Sequence, residues 1–127
     1  MMPQLKKNRI VLVEDDEDIA KLIKFKFKKQ NLIVVWKSDG LSGLAEIQNE
    51  VPDLVILDIM LPKLNGFQIL KKLKEKEQTK SIPIIILTVK SREADVVKGL
   101  KLGSDEYMTK PFHLAELMIR VKKLLAR

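Results

Sequence analysis

The feature that most constrains the fold of this 127-residue chain is a pair of short, almost wholly apolar stretches. They span residues 53–57 (Asp-Leu-Val-Ile-Leu) and 82–87 (Ile-Pro-Ile-Ile-Ile-Leu). A strand with one face in water alternates apolar and polar residues, so these runs predict strands buried on both faces. Pro83 lies near the start of the second run, where a missing N–H is tolerated. Two central strands of a parallel sheet are therefore expected.

Three further short runs, at residues 9–13, 32–36 and 106–109, also predict strands. Helices are predicted from Asp16, from Leu41 to before Pro52, and at residues 66–77, 91–102 and 112–127, with Gly103 ending the fourth. In four of these helices, side chains recur at helical spacing on one face. They are Ile19, Leu22, Ile23 and Phe27 in the first; Leu41, Leu44, Ala45 and Gln48 in the second; Phe67, Leu70 and Leu73 in the third; and Leu114, Leu117, Val121, Leu124 and Leu125 in the fifth.

Five alternations of strand and helix predict an α/β fold, because parallel strands are joined by helical crossovers. We expect a single doubly wound (βα)5 domain, with a five-stranded parallel sheet covered by helices on both faces. The domain is expected to span residues 1–127, with a core at about 9–127 and a polar N-terminal extension at 1–8.

Composition excludes several function classes. The chain has no cysteine, which rules out disulfide frameworks, thiolate zinc sites and a cysteine nucleophile. No apolar run approaches the roughly 20 residues that span a membrane, and the first nine residues lack the apolar segment of a secretion signal. A cytoplasmic protein without a membrane partner is expected. The net charge of +7 comes from lysines spread over helical segments, which favours solvated helix faces over a nucleic-acid site.

Polar side chains follow the predicted strands at the points where they end. Glu14 and Asp15 follow the first strand, Asp58 the third, Thr88 the fourth and Lys110 the fifth. Ligands of such sheets bind beyond the carboxyl ends of the strands, so these side chains are expected on one rim. Clustered carboxylates repel one another unless a cation neutralises them, and oxygen ligands suit a hard cation such as Mg²⁺, or Mn²⁺ in its place.

A metal, a lysine and a hydroxyl together supply what phosphoryl transfer needs, namely charge neutralisation and positioning of phosphoryl oxygens. With no serine, cysteine or histidine on the rim, a carboxylate is the natural nucleophile. Each residue also has a simpler reading: Glu14 or Asp15 as a cap of the first helix, Thr88 as a cap of the fourth, and Asp58 in an Asx-turn. Phosphate-loop and dinucleotide-binding motifs are absent, and the sole histidine, His113, is expected to be a surface residue.

At these residues the sequence resembles the receiver domain of two-component response regulators. Residues 11–18 resemble the first strand and acidic pair of that family, and residues 52–62 its phosphoacceptor segment. Residues 87–88 resemble its switch hydroxyl, and residues 103–112 its lysine segment. The resemblance extends from about Arg9 to Arg127 and implies a flavodoxin-like sheet of strand order 2-1-3-4-5.

The resemblance implies a role for each rim residue. Asp58 would accept a phosphoryl group from a sensor histidine kinase, a phosphotransfer protein or a small phosphodonor. Asp15, Asp58 and the carbonyl of Met60 would bind Mg²⁺ directly, and Glu14 would bind it through water. Lys110 would pair with Asp58 and then with the phosphoryl oxygens. The chain would thus be a signalling switch and not an enzyme, apart from transfer to its own aspartate and slow self-dephosphorylation.

Three further positions follow from the same resemblance. Thr88 would move to hydrogen-bond the phosphoryl group, Tyr107 would turn inward into the space it leaves, and the Lys110–Pro111 bond is expected to be cis. Val89 stands where the family usually carries a small residue. A β-branched side chain there is expected to shield the phosphoryl group from water, which predicts slow self-dephosphorylation. Asn65 and Glu106 replace commoner aspartates, without expected effect on the chemistry.

The last third of the chain is most similar to receivers of the OmpR type, which signal and pair through helix four, strand five and helix five. The salt links of such a homodimer would involve Asp105, Glu106, Glu116, Arg120 and Arg127. Val96 stands where a basic residue is usual, which puts one link in doubt. The chain would act alone by protein contact or belong to a longer regulator, and DNA would be an indirect partner only in the second case.

Three rival functions stay open from the sequence. A hydrolase with an aspartyl-phosphate intermediate would turn over substrate in excess of protein. A pseudo-receiver used only for binding would neither bind Mg²⁺ nor become labelled. A nucleic-acid reader is compatible with the charge, although no helix-turn-helix or aromatic stacking platform is visible.

Overall fold

The computed structural model describes residues 7–127, so most of the predicted N-terminal extension lies outside the described part. The elements are β1 (Arg9–Val13), α1 (Glu17–Lys29), β2 (Ile33–Lys37), α2 (Gly40–Asn49), β3 (Leu54–Leu57), α3 (Gly66–Glu75), β4 (Ile84–Thr88), α4 (Glu93–Lys101), β5 (Glu106–Thr109) and α5 (Leu114–Leu125). The strands form one parallel sheet of order β2-β1-β3-β4-β5. The predicted fold class and strand order are confirmed.

Helices cover both faces of the sheet, and each face has its own apolar core. On one face, alternate strand residues such as Leu12 and Ile56 pack with Ile23 of α1 and Val121 of α5. The residues between them in the strands pack on the other face, mainly against α2 and α3. Every residue of β3 and β4 is buried, as the uniformly apolar runs predicted.

The inward faces of α1 and α2 differ from the prediction. Leu22 and Leu41 are about half exposed, and Ala45 is exposed as well. The buried positions of α2 are instead Gly40, Gly43 and Ile47; those of α1 are Ala20, Ile23 and Phe27. The prediction relied on large apolar side chains and therefore left out the glycines. Gly43 nevertheless packs so closely against β1 that a Cβ atom on it would lie 2.6 Å from a methyl carbon of Val13. The helix packs against β1 through its bare backbone there.

Polar caps fix the helix ends beside the rim. The Asp16 side chain accepts hydrogen bonds from the N–H groups of Asp18 and Ile19, and so begins α1. Asn65 begins α3 in a reciprocal capping box with Gln68. Gly103 follows α4 at a φ of +108°, as its predicted role at a helix end requires. Of the helices within residues 7–127, none has both the length and the apolar character needed to cross a membrane.

Candidate functional site

The five predicted site residues come together at the carboxyl edge of the sheet. Glu14 and Asp15 directly follow β1, and Asp58 directly follows β3. Each of these three acids has a carboxylate oxygen within 4.8 Å of the others'. Thr88 is the last residue of β4 and not the first residue after it, and it is fully buried. Lys110 directly follows β5 and completes the rim.

Lys110 joins two of the acids. Its ammonium nitrogen lies 2.5 Å from Oε1 of Glu14 and 2.8 Å from Oδ2 of Asp58. Both carboxylates are buried, at 1% and 5% side-chain exposure, whereas Asp15 is exposed. The pairing of Lys110 with Asp58 was expected from the resemblance, but its pairing with Glu14 was not. The order of strands and polar residues in the sequence predicts that these side chains lie on one rim, but it does not predict which of them are in contact.

Burial and charge shift the proton equilibria of this group. Loss of water around Glu14 raises its pKa to about 7, although hydrogen bonds from Lys110 and from the Asp16 N–H oppose the rise. Burial lowers the pKa of Lys110, but its hydrogen bonds with Asp58 and Glu14 outweigh that and raise the pKa above its usual value. The lysine therefore carries its positive charge at neutral pH, and that charge faces two carboxylates, those of Glu14 and Asp58.

The donor set fits a hard divalent cation. Among residues 7–127, three carboxylates share the rim with the ammonium of Lys110, so the group carries a net negative charge when all three acids are ionised. Carboxylate oxygens, with a backbone carbonyl and water, are the ligands that Mg²⁺ takes in proteins.

Of the simpler structural roles considered for these residues, the structure supports one and contradicts the others. Asp16, and not Glu14 or Asp15, caps α1. Arg92 stands at the N-cap of α4 without a side-chain hydrogen bond, so the reading of Thr88 as that cap is wrong. The Asx-turn at Asp58 does exist, since its Oδ1 accepts a hydrogen bond of 3.0 Å from the Met60 N–H. That bond aims the carboxylate while leaving Oδ2 to Lys110.

Comparison with known proteins decides the family. The response regulator receiver domain family matches residues 10–122. The chain belongs to this family. The receiver domain is also 43% identical to the alkaline phosphatase synthesis transcriptional regulatory protein PhoP of Bacillus subtilis (strain 168), over 119 residues that cover 94% of this chain and 49% of PhoP. It thus spans about half the length of this curated relative.

Solved structures agree with that assignment. The receiver domain of the Francisella response regulator 1452 has 36% identity and a TM-score of 0.89, over 95% of this chain and 98% of that chain. The BeF3-activated N-terminal receiver domain of Klebsiella pneumoniae RstA has 33% identity and a TM-score of 0.86, over 94% of this chain and 100% of that one. The predicted resemblance, including that to regulators of the OmpR type, is confirmed.

Tyr107 of the receiver domain belongs to β5 and is half-buried, with its ring beside Gly99 of α4. Its hydroxyl donates a hydrogen bond of 2.7 Å to the carbonyl oxygen of Lys90. Desolvation, with the negative charges of Asp95 and Asp58, raises the pKa of Tyr107 to about 12, so the hydroxyl is a donor at neutral pH. The Lys90 N–H in turn donates to the Thr88 hydroxyl oxygen at 3.4 Å. Nothing in the sequence predicted this link through the backbone of Lys90.

The surface around Asp58 forms a depression whose rim includes Val89 and Met60. Their side chains are about half exposed, at 56% and 52%. They line the depression together with Asp15, Asp58 and Lys110. The Lys110–Pro111 peptide bond, on the same rim, is cis as expected. Val89 is thus placed where it can affect access to Asp58.

The residues expected at a dimer face form ion pairs within the receiver domain. Arg120 lies 2.8 Å from both Glu106 and Glu116, and Arg127 lies 3.1 Å from Asp105. The Glu116–Arg120 pair follows from the i,i+4 spacing of a helix. A dimer using these residues would exchange partners between chains, so the dimer face stays a prediction. His113 is exposed as expected, but it precedes α5 and is not in its first turn.

Proposed function

We propose that this receiver domain is a phosphorylation-dependent switch that accepts a phosphoryl group on Asp58 in a Mg²⁺-dependent reaction. One observation carries the proposal. Asp58 is a carboxylate fixed by Lys110 and the Met60 N–H, facing a depression that it shares with Asp15. A nucleophile, a fixed cation and carboxylate oxygens that could hold a metal ion are thus within reach of one incoming phosphoryl group.

The residues divide the chemistry among them. A carboxylate oxygen of Asp58 forms a bond to phosphorus as the bond to the leaving group breaks, for example a histidine nitrogen of the donor, which takes up a proton. Lys110 lies close enough to follow the new charge from carboxylate to phosphoryl oxygens. Mg²⁺ held by Asp15, Asp58 and the Met60 carbonyl, with Glu14 acting through water, would neutralise charge on the transferred group. This receiver then signals through α4, β5 and α5.

The charge change supplies the switch. A phosphoryl group adds negative charge and acceptor oxygens beside Lys110. It therefore favours an arrangement in which the Thr88 hydroxyl turns from the Lys90 N–H and donates to phosphate, and in which Tyr107 occupies an inward position. Complete conversion of a two-state equilibrium takes about 5.5 kcal/mol, which a few charge-assisted hydrogen bonds supply.

The partners follow from the same chemistry. A histidine kinase or a phosphotransfer protein is the proposed donor, and a second copy meeting through α4, β5 and α5 is the proposed homodimer. PhoP is by name a transcriptional regulatory protein, and we propose DNA as an indirect partner only within a longer regulator of that kind. The cytoplasmic location expected from the sequence stays a prediction.

A labelling experiment tests the switch against its rivals. Incubation with acetyl phosphate and Mg²⁺ is expected to add one phosphoryl group per chain, as measured by intact mass. A hydrolase would release phosphate far in excess of protein, and a pseudo-receiver would stay unlabelled. A nucleic-acid reader would bind oligonucleotides without labelling. Absence of any mass increase at saturating phosphodonor would contradict the proposal.

Mg²⁺ is expected to raise the melting temperature of the unphosphorylated receiver. A ligand at 100 times its dissociation constant stabilises the folded state by about 2.7 kcal/mol. Asp15→Asn should remove most of the shift, because Asp15 is an exposed member of the acid cluster with little structural role. Asp18→Asn, an exposed acid outside the cluster, is the control and should melt like the parent chain. Equal Mg²⁺ shifts in all three proteins would argue against this site.

Val89→Ala is expected to shorten the lifetime of the phosphorylated form. The valine side chain borders the depression over Asp58 and limits the approach of water to the phosphorus. A loss of about tenfold in lifetime corresponds to about 1.4 kcal/mol in the hydrolysis barrier. The decay is measured by intact mass after removal of phosphodonor. Val51→Ala, a similarly exposed valine before β3, is the control; an unchanged lifetime in Val89→Ala would show the shielding idea to be wrong.

A further inference from the structure

Gly99 is the buried residue of α4, and its missing side chain leaves the space in which the Tyr107 ring lies. A Cβ atom built on Gly99 would lie 2.9 Å from Cδ2 and 3.0 Å from Cε2 of Tyr107. It would also lie 2.9 Å from Cδ1 of Ile86 on β4. Real Cβ atoms essentially never approach that closely, so any side chain at position 99 must displace the ring.

The two neighbours differ in how they can yield. Cδ1 of Ile86 is the end of a flexible side chain and can move by rotation about one bond. The tyrosine ring is rigid, and its far end is held by the hydrogen bond from its hydroxyl to the carbonyl oxygen of Lys90. The ring therefore cannot shift away from α4 without straining or losing that bond. Glycine is otherwise a poor choice inside a helix, because alanine favours the helix more.

We propose that Gly99 is a positioning residue for the switch, because it leaves the space in which the Tyr107 ring lies here and in which phosphorylation of Asp58 would hold the ring. The inference rests on the proposed function, in which Tyr107 follows Thr88. A side chain at position 99 is expected to uncouple the two events. Asp58 would still accept phosphate, but the new side chain would displace the ring from this position, and the α4–β5–α5 face would not change on phosphorylation.

The chain contains a single tyrosine, so ring-labelled tyrosine gives an NMR signal from Tyr107 alone. In the parent chain this signal is expected to shift when acetyl phosphate and Mg²⁺ are added, because phosphorylation would hold the ring more firmly beside Gly99. In Gly99→Ala we expect the signal to differ from that of the parent before phosphate is added, and not to shift when it is added. Intact mass should meanwhile show the same extent of phosphorylation as in the parent. If Gly99 mattered only for folding, Gly99→Ala would change the extent of phosphorylation and the tyrosine signal together.

Val97→Ala is the matched control, since Val97 lies on the exposed side of the same helix. Its tyrosine signal is expected to respond as in the parent chain. A Gly99→Ala signal that moves fully on phosphorylation would overturn the proposal. Failure of the parent chain to take up phosphate would instead contradict the proposed function, and the stability comparison below would still test the contact with the ring.

A second measurement, of stability in urea, tests the proposal even if Gly99→Ala folds poorly. Gly99→Ala is expected to lower the urea midpoint when Tyr107 is present. It is expected to raise the midpoint in a Tyr107→Ala background, where the ring is gone, the end of the Ile86 side chain can move aside and the higher helix propensity of alanine remains. If the single variant does not fold but the double variant does, the clash lies with the ring and the proposal is supported. If the substitution is equally harmful in both backgrounds, the ring is not what the new Cβ meets, and the proposal is wrong.

Discussion

Asp58→Asn is expected to abolish phosphoryl transfer, from one group per chain to none detectable by intact mass. An asparagine amide preserves the size of the side chain and can still accept a hydrogen bond from the Met60 N–H. It lacks the anionic oxygen that would attack phosphorus, so no acyl phosphate forms. The fold is expected to survive, because Lys110 keeps its second carboxylate partner in Glu14.

The control for this loss must separate the acceptor from the metal ligands. Asp15→Asn removes an exposed carboxylate from the same cluster and is expected to slow labelling, with partial recovery at higher Mg²⁺ concentration. Asp58→Asn should show no recovery at any Mg²⁺ concentration. Labelling of Asp58→Asn at one group per chain would mean that another acid is the acceptor, and the assignment of Asp58 would be wrong.

The fold could be predicted from the sequence because burial on two faces leaves a clear trace. The uniformly apolar residues of β3 and β4 predicted the centre of the sheet, and both strands are buried throughout. The face of α2 was predicted wrongly because glycines carry no hydrophobic signal, although Gly40 and Gly43 are buried and leave no room for a Cβ atom. Leu22 fits the periodic pattern of α1 but is half exposed, because apolar residues also occur on protein surfaces.

The site could be predicted only as far as topology determines it. Parallel strands bring their carboxyl ends to one edge, so Asp58, Thr88 and Lys110 were expected together from their places in the chain. Which atoms meet depends on side-chain reach, and the Glu14–Lys110 pair was therefore missed. The link from Tyr107 to the Lys90 carbonyl was missed for another reason: a main-chain acceptor has no signature in the sequence.

Lys110→Met is expected to lower both the stability of the fold and the rate of phosphorylation. Methionine matches the length of lysine but removes the ammonium that lies between Glu14 and Asp58. Removing one partner of a buried ion pair typically costs about 3–5 kcal/mol. We expect a loss near 3 kcal/mol, because Glu14, whose pKa is already about 7, can take up a proton at neutral pH. Urea unfolding without Mg²⁺ measures this loss.

A second substitution separates the two effects of Lys110→Met. Adding Glu14→Gln removes one of the two carboxylates that lost their partner, and it is expected to restore part of the lost stability. It should not restore phosphorylation, because the cation that follows the phosphoryl oxygens is still absent, a loss of about 100-fold in rate. Lys71→Met, on the exposed side of α3, is the control for both measurements. Recovery of the labelling rate in the double variant would show that Lys110 only balances charge in the resting state.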